Sequence, residues 1–223
     1  MIRDMFDALA PGYDQFNRLS SFGLDMRWRR EAIRYIKSGS YILDIGTGTG
    51  DLAREFIKAG NRVVGIDFSE RMVKKAREKY GQDPHVSFMV ASSEAIPFEE
   101  STFDGVISAF VIRNLYQGGI LQSSLRECYR VLKPGGQMVH VELTRPPKGF
   151  LLWSHRVYLR TMLPLFGRIV FGSRWPRKYL SSTIEKLPPP MTICHWMKWA
   201  GFEEVRHTPL SGGIASLFVG KKC

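Results

Sequence analysis

The run Leu43-Asp44-Ile45-Gly46-Thr47-Gly48-Thr49-Gly50-Asp51 holds the densest chemistry in the chain. Glycines at 46, 48 and 50 let the backbone approach a bound molecule closely, because no Cβ intervenes. In the dinucleotide fingerprint G-x-G-x-x-G the third glycine would fall at position 51, and that residue is Asp51. An acid at a helix start repels the pyrophosphate that a helix N-terminus attracts. The loop Asp44, Gly46, Gly48, Gly50 therefore predicts a cationic or zwitterionic nucleoside. S-adenosyl-L-methionine, with its sulfonium and ammonium groups, is that ligand, and a nicotinamide-dependent dehydrogenase is disfavoured. Asp67, closing Val64-Gly65-Ile66-Asp67, stands where a carboxylate accepts both hydroxyls of a ribose; a helix-capping Asp is the competing reading. Ser92 and Ser93, in Ala91-Ser92-Ser93-Glu94-Ala95-Ile96-Pro97-Phe98, offer polar groups and an apolar wall for an adenine, although alone they would be an ordinary loop.

These residues need a scaffold that brings strand ends together, and the patterning supplies one. Apolar strand runs are expected at 41–45, 62–66, 86–90, 103–109 and 137–143. Helical stretches lie between them: 51–59, a helix capped by Ser69, and one whose face carries Leu121, Leu125, Cys128 and Leu132 before Lys133-Pro134-Gly135-Gly136 stops it. Such alternation means crossover units. The fold class is α/β, a doubly wound and mostly parallel seven-stranded sheet. A helix at 192–200 and strands at 205–210 and 215–219, joined at Gly212-Gly213, predict an antiparallel terminal pair. One domain spans 1–223: an N-terminal helical substrate element at 1–38, a cofactor-binding core at 39–145, a helical insertion or lid at 146–190, and a C-terminal helix and strands at 191–223.

Composition narrows the classes. The chain has 223 residues, 44% hydrophobic, which suits a globular core. No apolar run is long enough to cross a membrane as a helix. The first residues, MIRDMFDALAPGYD, carry acids and no apolar signal region, and Cys128, Cys194 and Cys223 form neither a disulfide framework nor a zinc pair. A cytoplasmic protein is expected, with no metal. Net charge is +11, and residues 145–180 hold eight Lys/Arg and no acid. Nucleic acid, acidic lipid, an anionic substrate or a solubilising surface all suit such a block.

These motifs resemble those of the class I S-adenosylmethionine-dependent methyltransferases. The resemblance narrows to the ubiquinone/menaquinone biosynthesis C-methyltransferases through Tyr13-Asp14-Gln15-Phe16-Asn17, Ser21-Phe22-Gly23 with Trp28, Arg113-Asn114, Tyr129-Arg130-Val131-Leu132-Lys133-Pro134-Gly135-Gly136, Ala200-Gly201-Phe202 and Leu210-Ser211-Gly212-Gly213-Ile214. It implies that Thr49, Asp67, Ser92 and Ser93 contact S-adenosyl-L-methionine and that Tyr13, Arg113 and Asn114 face a prenylated quinol. The chain departs from the family's pattern at Phe16, Asp25, Ala109, Leu115-Tyr116-Gln117 and the basic Arg174-Trp175-Pro176-Arg177-Lys178. An arginine directly after an apolar strand suits stabilisation of a developing phenolate, with Asn114 and Tyr13 orienting the ring; a surface salt bridge is the alternative. His140 and Glu142 share one side of a strand, and His140 reads as either a base or a core histidine. The proton acceptor stays unassigned.

The insertion interleaves Phe150, Trp153, Tyr158, Leu165 and Ile169 with arginines, a composition that fits either an interfacial helix pair at the inner face of an anionic membrane or core packing with a basic exterior. Nucleic acid is not expected, since no base-directed Asn/Asp-Pro-Pro-aromatic tetrad occurs. A methyltransferase of another small molecule or RNA, and a non-catalytic S-adenosylmethionine-binding subunit, remain the alternatives; a homodimer is left open.

Overall fold

Alternation along the strands decides the layers. In the computed structural model, which describes residues 2–176 and 179–223, Leu43, Ile45, Val64, Ile66, Val106 and Met138 pack on one face of a sheet. Ile42, Val63, Ile107, Val139 and Val141 pack on the other. The strands are β1 (Tyr41–Ile45), β2 (Arg62–Asp67), β3 (Val86–Val90), β4 (Phe103–Ala109), β5 (Leu132–Leu143), β6 (Glu203–Leu210) and β7 (Ala215–Lys221). Their order is β3-β2-β1-β4-β5-β7-β6. Neighbours from β3 through β5 are parallel, and β7 runs antiparallel between β5 and β6. The doubly wound sheet with a reversed terminal pair is thus the one expected, and Gly212 (φ +68°) and Gly213 (φ +94°) form its last turn. β5 starts earlier than the apolar run indicated. Leu132 still pairs with Phe103, and the register then slips so that Gly105 meets Gln137, leaving Lys133 to Gly136 as an irregularity between them.

Eleven α-helices complete the described residues: α1 (Ile2–Leu9), α2 (Tyr13–Ser20), α3 (Leu24–Ile33), α4 (Asp51–Lys58), α5 (Glu70–Tyr80), α6 (Ile112–Gln117), α7 (Leu121–Val131), α8 (Phe150–Arg160), α9 (Met162–Phe171), α10 (Tyr179–Lys186) and α11 (Pro190–Trp199). α3, α4 and α5 cover one sheet face through Trp28, Ala32, Phe56 and Val73; α7 and α11 cover the other through Leu125, Cys128, Ile193 and Met197. Ser69 caps α5 as its type and place predicted, its hydroxyl accepting from Met72 N at 3.2 Å.

A further cluster joins segments far apart in sequence. Leu9 and Phe16 of the N-terminal helices pack with Leu159, Leu163, Phe166, Trp175 and Ile184 of the insertion. The expected substrate element and the expected lid therefore form one cap. Of the basic run at 174–178, Arg177 and Lys178 lie outside the described residues.

Close packing beneath the glycine loop leaves no room at Gly65 of β2. A Cβ there would stand 2.6 Å from Phe88 Cδ1 and 2.7 Å from Thr47 Oγ1. Gly65→Ala is expected to lower stability by about 1–3 kcal/mol, the usual cost of overpacking. Urea unfolding with an unchanged m-value would show it.

Candidate active site

The carboxyl ends of β1, β2 and β4 open onto one pocket, where open α/β sheets bind ligands. Gly46 and Gly48 follow β1, Asp67 ends β2, Ser92 and Ser93 follow β3, and Ala109 ends β4; all line it. Phe6 and Tyr13 close it from the cap, and Asn114 walls it from α6. Gly46 adopts φ +61°, and a Cβ there would press to 2.5 Å from Val111 Cγ2, so only glycine fits. At Gly48 (φ +56°) the space a Cβ would occupy is open up to Tyr13 Cε1 at 3.9 Å.

Asp67 is buried, and its carboxylate accepts from Gly48 N and Ser69 N, both at 2.9 Å. Burial raises its pKa to about 6 despite those donors. Asp44 lies beneath the loop and accepts from Thr47 Oγ1 at 2.7 Å. Burial raises its pKa to about 7 against the Thr47 hydrogen bond and the Arg29 charge.

Three expected cofactor residues lie outside the pocket wall. Thr49 is buried with its hydroxyl donating to Asp14 and lies outside the pocket wall. Its position puts it on the cap side of the loop. Gly50 (φ +85°) is also outside that wall; a Cβ there would meet Tyr80 and Phe88 at 2.9 and 3.0 Å. Asp44 too is absent from the wall and supports the loop from below.

A second, apolar compartment lies behind Phe6 and Tyr13, which wall both spaces. Met5, Leu9, Phe16, Phe171, Trp175 and Leu180 line it, together with Arg113. Arg113 is not a surface residue. It is 5% exposed, and its Nη1 donates to Glu142 Oε1 at 2.6 Å and to the Phe110 carbonyl at 2.8 Å, while its Nε has no partner. Glu142 also accepts from Arg113 N at 3.0 Å and Leu143 N at 2.8 Å. Burial pushes the Glu142 carboxyl upward, but the Arg113 charge and these donors hold it below the ordinary range. Burial keeps the Tyr13 phenol above its ordinary pKa even though Arg113 and Arg29 pull it down. Asn114 is oriented by Tyr179, whose hydroxyl donates to Asn114 Oδ1 at 3.1 Å. His140 faces a small cavity with Ser108, Cys128 and Met138, apart from both compartments, and burial lowers its pKa. It is a buried core histidine whose Nε2 lies 3.8 Å from Glu142 Oε2.

Sequence reasoning missed the ionic tie between cap and loop. Lys79 Nζ donates to Asp14 at 2.8 Å and Asp51 at 2.6 Å, Arg18 donates to Asp51 at 2.7 Å, and Arg18 also pairs with Asp25. Ser69 donates to Asp7, and Lys75 to the Pro11 carbonyl at 2.9 Å. Asp51 at a helix start is the one signal present in sequence. Its partners stand 28 and 33 residues away, beyond the reach of local pattern.

Residues 1–222 match the ubiE/COQ5 methyltransferase family. A demethylmenaquinone methyltransferase of Thermus thermophilus is 40% identical over 223 aligned residues, covering 98% of this chain and 100% of its own. The ubiquinone/menaquinone biosynthesis C-methyltransferase UbiE of Geotalea uraniireducens is 38% identical over 229, covering 99% and 96%. Among solved structures, the putative methyltransferase in complex with the Haloferax volcanii Trm112 activator superposes with a TM-score of 0.70 at 19% identity, covering 97% and 96% of the two chains. A SAM-dependent methyltransferase of Thermotoga maritima, described as a possible histamine N-methyltransferase, gives 0.68 at 19% identity over all of both chains. At that identity the structures speak for the fold.

Removing one partner of the buried pair leaves a charge stranded. Glu142→Ala is expected to cost about 3–5 kcal/mol, and Glu142→Gln less because an acceptor survives. Chemical denaturation of both variants measures the difference.

Proposed function

The chain belongs to the ubiE/COQ5 methyltransferase family, and from that membership and the pocket geometry we propose that it is an S-adenosyl-L-methionine-dependent C-methyltransferase of a demethylmenaquinol or related polyprenyl benzoquinol ring. The observation that carries this reading is the common wall of the two compartments: Phe6 and Tyr13 border both the glycine-loop pocket and the apolar space that holds Arg113. A polar nucleoside and a ring with an isoprenoid tail would meet at that wall.

The residues present fit the donor. A carboxylate at the end of β2, the open space where Gly48 carries no Cβ, and a serine pair lining the same pocket as apolar Phe68 and Met72 suit ribose, chain and base in turn. Asp67 would take the ribose hydroxyls, Gly46 and Gly48 the close backbone approach, and Ser92 and Ser93 the adenine edge. When bound, the donor supplies an electrophilic methyl group on a sulfonium.

The chain's own work is positioning and charge stabilisation. Arg113, fixed by Glu142 and the Phe110 carbonyl, places a permanent positive charge in the wall of the acceptor compartment. A ring hydroxyl that gives up its proton there becomes an anion opposite that charge, which raises electron density at the neighbouring ring carbon. Tyr13, kept protonated by burial, and Asn114, held by Tyr179, orient the ring oxygen. Met5, Leu9, Phe16, Phe171 and Trp175 exclude water and take the first units of the tail. An acceptor with such a tail resides in a bilayer, so the protein must reach a membrane surface.

The test is incubation with labelled methyl donor and demethylated quinol, followed by mass spectrometry of the lipid fraction; an unlabelled lipid fraction would overturn the reading. Arg113→Lys is expected to leave donor affinity unchanged and to lower kcat by about 100-fold, within the range for losing one charge-stabilising donor. A raised pKa at Asp67 also sets a pH window. The ionised carboxylate is the better acceptor for ribose hydroxyls, so donor affinity should hold above pH 6 and weaken as pH falls through about 6. Calorimetry across that range should show the step in the wild type and not in Asp67→Asn.

A further inference from the structure

The outer side of α8 and α9 is more apolar than a soluble surface requires. α8 presents Phe150 (79% exposed), Trp153 (62%) and Val157 (41%), and α9 presents Met162 (41%), Leu165 (51%) and Ile169 (65%). Both sets follow i, i+3, i+7 spacing, so each forms one stripe. Phe22, 69% exposed and held at φ +52°, stands at the same edge, its ring 5.9 Å from Phe166 and 6.3 Å from Tyr158. Contiguous exposed aromatics on a monomer mark a contact surface.

Another face of α8 borders a polar cavity that the methyl-transfer reading leaves unused. Arg145, Leu152, His155, Arg156, Leu159, Arg160 and Glu185 line it. Three guanidinium groups therefore face one carboxylate. Arg160 reaches Glu185 only at 4.0 Å, Arg145 donates Nη2 to the Leu187 carbonyl at 3.0 Å, and Arg156 has no carboxylate partner among the described residues. His155 is 7% exposed, and its Nδ1 is buried without a hydrogen-bond partner among the described residues. A planar donor array with excess positive charge and an unsatisfied buried nitrogen is the complement of a phosphate.

We propose that this cavity binds the phosphate of an anionic phospholipid headgroup while the stripes of α8 and α9 enter the interface, seating the protein on a membrane. The inner side of the same helix pair, through Phe166 and Phe171, packs toward the acceptor compartment. One element thus touches lipid outside and borders the tail's compartment inside. This deepens the quinol reading and rests on it for its purpose, but lipid binding is measured without turnover.

The experiment is co-sedimentation of the full chain with vesicles of phosphatidylcholine alone and of phosphatidylcholine with phosphatidylglycerol. Pelleting is expected with the anionic vesicles only. The double variant Arg156→Gln/Arg160→Gln should bind roughly 30-fold more weakly, at the usual contribution of a basic residue near an anionic surface. Phe150→Ser/Trp153→Ser should lose binding. Both variants should stay folded by circular dichroism and should methylate a short-tailed acceptor in detergent at the wild-type rate. Equal pelleting with neutral vesicles, or full retention by the arginine variant, would overturn the proposal. So would a saturable shift of the His155 ring resonances by inorganic phosphate without pelleting, which marks a free-anion site. A wild type that pellets as expected yet transfers no methyl group would leave the lipid site standing and remove the quinol reading.

Discussion

A charge pair sealed from water at the junction of β5 and α6 underlies the rest of the site. Taking Arg113 and Glu142 out of solvent costs several kcal/mol per ion, and Coulomb attraction repays that only when the remaining donors and acceptors are also satisfied. Here Glu142 accepts two further backbone N–H groups and Arg113 also reaches the Phe110 carbonyl, which leaves the Arg113 Nε without a partner among the described residues. The pair thereby fixes the chain leaving β4 against the neighbouring strand. That fixation determines where Asn114 projects, and it sets a standing positive potential beside Tyr13, whose phenol senses Arg113 through the interior. A lysine would supply the charge as a compact ammonium in place of the planar, delocalised guanidinium.

The cap depends on a second set of charges, and its arrangement explains how 1–38 can serve the loop it covers. Asp14, Asp51, Lys79 and Arg18 alternate in sign across the seam between α2, α4 and α5. Exposed ion pairs contribute little each. These are partly shielded and share partners: Asp51, Lys79 and Arg18 each meet two charges of opposite sign, and Asp14 meets Lys79. Burial pushes Asp51 up and Lys79 down, yet the mutual pairing reverses both shifts. The acid that disqualifies the loop as a pyrophosphate cradle is thus the same one that anchors the cap.

What could be read in the sequence follows from the range of the interactions. Strand positions, the Ser69 cap, the glycine loop and Asp67 were legible because each depends on neighbours within a few residues or on its place at a strand end. Thr49 and Gly50 were assigned to the ligand by position in a motif, and three dimensions turn them toward Asp14 and toward Tyr80 and Phe88. No local pattern carries that, since the partners come from other elements. α10 was hidden for a different reason: eight residues between proline-bearing segments give too little periodicity to separate a helix from a loop. Arg113 was legible as a functional position, but its partner Glu142 required knowing that β4 and β5 are adjacent.

The distribution of charge bears on the same cap. Eight of the Lys/Arg residues fall in 145–180 with no acid among them, so this segment carries most of the net +11. A surface built for solubility would intersperse both signs and hide its aromatics. This one concentrates one sign and exposes Phe150, Trp153 and Ile169 beside it. Apolar stripes alone would invite self-association, and arginines alone would suit any polyanion. Both on one hairpin match the chemistry of an anionic bilayer surface, where phosphates lie directly above hydrocarbon. An acceptor that never leaves the bilayer makes that match functional, because the helix pair that borders its compartment must itself stand at the lipid boundary.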